Sequence, residues 1–406
     1  MPAQPTAPGR TPGLHLSVAL DGAGWHPAAW REPGARPAEL LTARYWADLV
    51  AEAERGLLDF VTLEDALSLQ STDPRGPDGR TDLVRGRVDA VLTAARVAPL
   101  TRHIGLVPTV GTTHTEPFHI SKAVATLDHV SLGRAGVRVK VSARPDEAAH
   151  IGRKAFAWYD GFDSPEGEAL LRRLFDEAAD HVEVQRRLWD SWEDDAEIRD
   201  TATGRFIDRD KLHYIDFEGA EFSVKGPSIT PRPPQGQPVV TALAHRAEPY
   251  RLVGAAADVG FVTPADAAGA RAIVAEIRAA QAAAGRADET VHVFGDLLVL
   301  LDDTAARAAG RLARLDDRAG QQLTSDARLF AGTPADLAEL LVEWRAAGLT
   351  GFRLRPAALP HDLERITRDL VPELRRRGVF RTAYPTGATL RGLLGLPRPA
   401  NRYATP

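Results

Sequence analysis

Residues 14–27 read LHLSVALDGAGWHP, and their parsing separates the two folds open to a chain of this pattern. Leu14–Leu20 alternates apolar and polar side chains as a half-buried strand does. The turn that follows is Asp21-Gly22-Ala23-Gly24-Trp25-His26-Pro27. An open doubly wound sheet usually carries a glycine-rich phosphate loop here, in the GxGxxG register and opening directly into a helix. This turn fails the register and opens no helix.

Outward from that strand the pattern repeats. Strands are expected at Asp59–Glu64, His103–Gly111, Arg134–Ser142, Pro238–Ala244, Asp258–Val262, Val291–Leu301 and Gly351–Pro356. Between and after them come helices at Pro37–Gly56, Val84–Ala98, Pro117–His129, Glu168–Trp192, Ala247–Ala257, Ala265–Ala284, Thr304–Leu315, Pro334–Ala347 and Leu363–Arg377. Eight strands, each followed by at least one helix, imply a parallel sheet closed on itself. The fold class is α/β: a (β/α)8 TIM barrel with an insertion after the fourth βα unit. Residues 193–237 form that insertion, polar and rich in Pro and Gly but still carrying Phe206, Tyr214, Phe217 and Phe222. A single domain over 14–403 is expected, with 1–13 a disordered tail.

Composition narrows the function classes. The 406 residues are 44% hydrophobic and 26% charged, which suits a globular core, and the net charge of −5 argues against a nucleic-acid binder held by charge. The absence of cysteine removes thiolate nucleophiles, disulfides and cysteine metal sites. Arginine outnumbers lysine 45 to 5, a skew that fits a GC-rich genome. No secretory h-region and no run of 18 apolar residues appear, so a soluble cytoplasmic protein without membrane contact is expected.

In a (β/α)8 barrel the site lies at the C-terminal ends of the strands. That rule nominates Trp25 and His26, Glu64 and Asp65, Thr112, Thr113 and His114, Arg138, Lys140 and Ser142, His245 and Arg246, and Arg353 and Arg355. Glu64 and Asp65 invite a glycosidase reading, but neighbours on a strand point to opposite faces, so the two cannot serve one substrate. No HExxH, P-loop or GxSxG motif is present, and no metal site is expected. The basic groups after strands four and five are more suggestive. Arginine binds phosphate bidentately, and Arg246 opens a helix whose N–H groups attract the same anion.

Several stretches resemble the bacterial luciferase-like flavin-dependent monooxygenases, in the branch that oxidises nitrilotriacetate and dibenzothiophene sulfone. They are Trp25–Arg31 (WHPAAWR), Ala53–Gly56 (AERG), Thr112–His119 (TTHTEPFH), Thr126–Gly136 (TLDHVSLGRAG), Leu188–Trp192 (LWDSW), Phe222–Pro227 (FSVKGP), Pro234–Pro238 (PQGQP), Val371–Leu374 (VPEL) and Leu396–Tyr403 (LPRPANRY). The resemblance implies an enzyme using reduced FMN from a separate NAD(P)H:flavin reductase to insert one oxygen atom of O2 into a small organic substrate. A homodimer or higher homo-oligomer is the family expectation. By motif position, Asp65, Thr112 and Thr113 fall near the flavin ring, and His26 and His114 are the catalytic candidates. Arg138, Lys140, His245 and Arg246 complete the cofactor set.

The chain departs from the family at the phosphate grip. Where the family usually reads Gly-Ser-Ser, this chain has Ala244-His245-Arg246; a histidine and tyrosine on the long helix correspond to Leu171 and Phe175; Asn-Val-Val-Thr-Ser becomes Arg138-Val139-Lys140-Val141-Ser142; and the tyrosine after the two threonines is His114. These changes leave two alternatives beside the FMN monooxygenase: an oxidoreductase using the deazaflavin F420, and a flavin-free, catalytically silent barrel acting as a partner or binding subunit.

Overall fold

The computed structural model describes residues 13–71, 73, 76–156 and 162–404, so the expected tail lies outside the described residues except for Gly13. Eight strands form the barrel: β1 (His15–Leu20), β2 (Phe60–Leu63), β3 (Gly105–Gly111), β4 (Gly136–Lys140), β5 (Val239–Ala244), β6 (Val259–Val262), β7 (His292–Leu301) and β8 (Gly351–Pro356). Each pairs in parallel with the next, and β8 returns to β1, where Val18 faces both Leu354 and Val61. All eight fall within the expected segments.

A ninth strand, Arg328–Gly332, runs beside the upper half of β7 at Leu297–Leu301, outside the ring. Its residues are exposed or half-buried except Gly332, unlike those of the barrel strands. Two helices begin later than their periodicity suggests. Pro37–Glu39 is a separate 3-10 turn, and the first helix starts at Ala43, where Thr42 accepts from the Tyr45 N–H at 3.4 Å. The second starts at Ala90 because Asp89 caps it through the Leu92 N–H at 2.7 Å.

The barrel interior is layered. Its lower layer is apolar: Phe60, Val107, Val239, Val259, Phe261 and Phe294 pack against Leu390, Leu394 and Leu396 of the C-terminal segment, which plugs the base. Gly351 opens β8 here because a Cβ would lie 2.6 Å from the Phe294 ring. The layer above is charged, as described below.

Within 193–237, Glu197–Asp200 pairs with Arg205–Ile207 and Phe217–Glu218 with Ser223–Val224, both antiparallel. Ile215, Phe217 and Phe222 pack on Val184 and Leu188 of the long helix Pro165–Asp190.

One carboxylate fastens that helix to the barrel and the plug. Asp258, just before β6, accepts from Arg186 at 3.1 Å, Arg391 at 3.3 Å and the Val240 N–H at 2.8 Å. Burial pushes its carboxyl up, but the two guanidinium groups outweigh burial and hold it at about 2. Its stabilisation is therefore complete above the unfolded carboxyl value of about 4 and is lost as pH falls toward 2. Asp258→Ala strands two arginines and should cost roughly 3–5 kcal/mol at pH 7. Urea unfolding is expected to show that gap narrowing steadily between pH 4 and 2.

Candidate active site

The strand C-termini open into a cavity of about 320 Å3. Its floor is a chain of alternating charges. Asp296 of β7 is fully buried and accepts from Arg353 at 2.7 and 2.6 Å and from Arg355 Nε at 2.9 Å. Arg353 reaches on to Glu64 at 3.4 Å, and Glu64 pairs with Arg138, whose Nε donates to Thr109 Oγ1 at 3.0 Å. At the other end Arg355 donates to Asp326 at 2.6 Å. The network thus joins β2, β3, β4, β7 and β8.

Two aromatic rings brace it. The Arg353 guanidinium lies 4.3 Å from the Phe261 ring centre, and that of Arg355 lies 4.7 Å from Trp25. Burial raises the Glu64 and Asp296 carboxyls, yet the surrounding arginines pull both below their ordinary values. Arg138 is lowered to about 10 by burial. Above this floor one wall is apolar, formed by Phe175, Leu243, Pro249 and Leu252.

The nominated residues divide into three groups. Arg138, Lys140 and His245 line the cavity. His245 lies 3.7 Å from Asp326, and burial lowers its imidazole. Asp65 opens instead onto an adjoining cavity of about 100 Å3, whose wall shares Lys140. This is the opposite-face placement expected for Glu64 and Asp65. Burial raises the Asp65 carboxyl, which accepts from the N–H groups of Ala66 at 2.7 Å and Ala90 at 2.9 Å.

Thr112 and Thr113 tie the exits of β3 and β4 together. Thr112 Oγ1 donates to the Lys140 carbonyl at 3.2 Å, and Thr113 Oγ1 accepts from the Ser142 N–H at 3.0 Å. Their hydroxyls are thus engaged by backbone.

His26, His114 and Arg246 are not among the lining residues. His26 is buried; its Nδ1 accepts from the Ala28 N–H at 3.0 Å, so Nε2 carries the proton toward Asp316 at 3.1 Å. Both nitrogens hold the loop, which leaves neither free for substrate. His114 stands against Phe156, with ring centres 5.9 Å apart, and burial lowers it. Arg246 is half-exposed before the helix Ala247–Ala256, 3.9 Å from Asp163.

The glycines after β1 also acquire a reason. Gly24 has φ +124°, and a Cβ there would sit 2.7 Å from the Ala358 backbone. The glycine lets the loop cross the exit of β8.

Sequence reasoning missed Asp296 and Asp326. A carboxylate inside the apolar run GDLLVLL is the signal that Asp296 offered, since it needs a buried partner. Arg353 and Arg355, two apart in GFRLRP, had the matching period. No residue of the insertion 193–237 lines this cavity. A larger hollow of about 620 Å3 lies around Asp258, but its Arg186, Arg286 and Arg391 are bound to carboxylates and carbonyls.

A closed parallel barrel with a charged small-molecule cavity at the strand C-termini defines a TIM-barrel enzyme. The chain matches the luciferase-like monooxygenase family over residues 24–343 and belongs to it. It is 31% identical to N-acetyl-S-(2-succino)cysteine monooxygenase of Bacillus subtilis (strain 168), covering 96% of this chain and 98% of the relative. It is 29% identical to nitrilotriacetate monooxygenase component A of Aminobacter aminovorans, covering 97% and 98%. Among solved structures, riboflavin lyase with modified FMN and riboflavin superposes with a TM-score of 0.83 at 25% identity, covering 96% of this chain and 97% of that one. The chain is therefore an oxidoreductase. No helix among the described residues is long and apolar enough to cross a membrane.

The His26 geometry makes a prediction. His26→Ala removes two buried hydrogen bonds and should lower stability by roughly 1–3 kcal/mol. Thermal unfolding is expected to show that loss, while ligand affinity at the mouth changes less than twofold.

Proposed function

We propose that the chain is a flavin-dependent monooxygenase that takes reduced FMN from a separate NAD(P)H:flavin reductase and oxygenates a small organic substrate. The observation that carries the reading is the cavity itself. It combines one apolar wall with a cationic floor at the strand ends, and its volume of about 320 Å3 lies at the lower limit for small-molecule sites. Phe175, Leu243 and Leu252 would hold a planar ring on its apolar side, and the Arg138 end of the network would face its polar side.

The phosphate end also has suitable groups. The helix Ala247–Ala256 begins without a side-chain cap, and Arg246 and His245 flank its start. Backbone N–H groups and a guanidinium there complement a phosphate dianion. This replaces the usual family grip with residues of this chain.

With reduced FMN bound, the chemistry supplied is activation of O2, one oxygen atom going to substrate and the other to water. The residues do the rest. Phe175, Leu243, Pro249 and Leu252 exclude water from one face, while Arg138, fixed by Glu64 and Thr109, presents a rigid positive charge. Asp65, Thr112 and Thr113 fix the loops that frame the mouth. A homo-oligomer is part of the same proposal.

The silent-barrel alternative draws support from one feature: the floor charges already satisfy one another. Anaerobic titration of the purified chain with reduced FMN separates the readings. Saturable binding is expected, and Arg246→Ala should weaken it by roughly tenfold or more, as loss of a charged hydrogen bond does, with an unchanged melting temperature without ligand. Absence of binding to reduced FMN would defeat the proposal; binding to reduced F420 instead would redirect it to the deazaflavin.

A further inference from the structure

We infer that the hollow between the loops after β1 and β2 is a binding subsite for a neutral six-membered ring carrying one hydroxyl group, a phenol, and that the Gln70 side-chain carbonyl receives that hydroxyl. Taking the ring as part of the substrate rests on the reading of the mouth as the reaction site; the subsite itself does not.

This hollow, of about 170 Å3, is walled by the loop Asp21–Pro27 and by Gln70, Ser71, Leu83 and Val84. Trp25 belongs both to its wall and to that of the mouth, so the two cavities are neighbours. The indole is pinned: its Nε1 donates to the Ala19 carbonyl at 3.2 Å, and the Arg355 guanidinium packs on its ring. Together with Pro27, Leu83 and Val84 it gives the hollow an apolar body. A dry apolar cavity of about 150 Å3 takes one benzene. A single six-membered ring is therefore the body that fills this one.

The polar groups of the wall are accounted for, with one exception. Asp21 accepts from Arg87 at 3.0 and 2.6 Å, which offsets its charge. Both His26 nitrogens are engaged by the Ala28 N–H and Asp316. The Ser71 hydroxyl donates to the Gly76 carbonyl at 2.6 Å and accepts from the N–H groups of Asp73 at 3.0 Å and Asp78 at 3.1 Å. Gln70 donates through Nε2 to the Gly86 carbonyl at 3.1 Å. Its Oε1 is buried and has no hydrogen-bond partner among the described residues. A carbonyl such as that of Gly86 only accepts, so the amide cannot be turned over, and the atom left over is an acceptor. An unpaired buried acceptor is unfavourable, and a ligand that brings one donor relieves it.

These features set the class of ligand. Among the described lining residues no charge stands without a partner, so an ion entering the hollow loses its hydration and gains no counter-charge. One acceptor calls for one donor, and the apolar walls call for the ring. Phenol supplies both. The cationic mouth and this neutral hollow thus suit different chemistry on either part of one substrate. Gln70 was not among the residues nominated from the strand ends because it lies well beyond the end of β2.

The test is calorimetric titration of the purified chain with phenol and with toluene, a ring of the same size without the donor. Phenol should bind saturably and toluene at least threefold more weakly. Gln70→Met keeps the volume and removes the acceptor, so the two affinities should become equal to within about twofold. Val84→Phe fills the hollow and should abolish binding of both rings. Thermal unfolding establishes that each variant is folded; Gln70→Leu and Leu83→Phe serve if the first choices are not. Undetectable phenol binding, toluene binding as tightly as phenol, an unchanged preference in the folded Gln70 variant, or an unchanged phenol affinity in the folded hollow-filling variant overturns the inference. Reduced FMN is titrated separately. FMN binding without phenol binding refutes only the subsite, and phenol binding without FMN binding refutes only the cofactor reading.

Discussion

Asp296 shared between Arg353 and Arg355 is the interaction on which the mouth of this barrel depends. Two guanidinium groups on one face of β8 cannot be buried together without a carboxylate between them, because each desolvated ion costs several kcal/mol. Asp296 supplies that charge from the adjacent strand, and the Phe261 and Trp25 rings brace the two planes. Once Arg353 is fixed, its second edge holds Glu64, and Glu64 holds Arg138. The electrostatics of the cavity thus follow from one carboxylate deep in β7.

Apolar residues could fill the same space, and exchange of a buried ion network for apolar side chains is often neutral or stabilising. The network does what an apolar layer cannot: it gives the cavity a fixed cationic floor while an apolar plug of Leu390, Leu394 and Leu396 seals the base. Stability and recognition are divided between the two ends, as in other (β/α)8 barrels. The chain's membership of the luciferase-like monooxygenases fits that division.

The barrel was legible because strand and helix periods survive in local sequence, and all eight strands fall where the alternation puts them. Arg138 and Lys140 were legible as cavity-lining residues because strand ends point to the mouth. His26 and the threonine pair were harder to read. They follow strand ends, but the destination of each polar atom depends on residues far off in sequence: Asp316 for His26, and the β4 exit for Thr112 and Thr113. Gly24 is a similar case, its need for φ > 0 being set by the backbone of Ala358. The ninth strand escaped because it exists by pairing with β7, which no local pattern encodes.

The most direct measurement is a crystal structure of the chain grown anaerobically with reduced FMN. The ring should lie between the Phe175 wall and Arg138, with the phosphate at the start of the helix Ala247–Ala256 and the Arg138–Glu64–Arg353–Asp296–Arg355 chain intact. A flavin bound elsewhere, or a network broken to admit it, would contradict the assignment of this cavity as the active site.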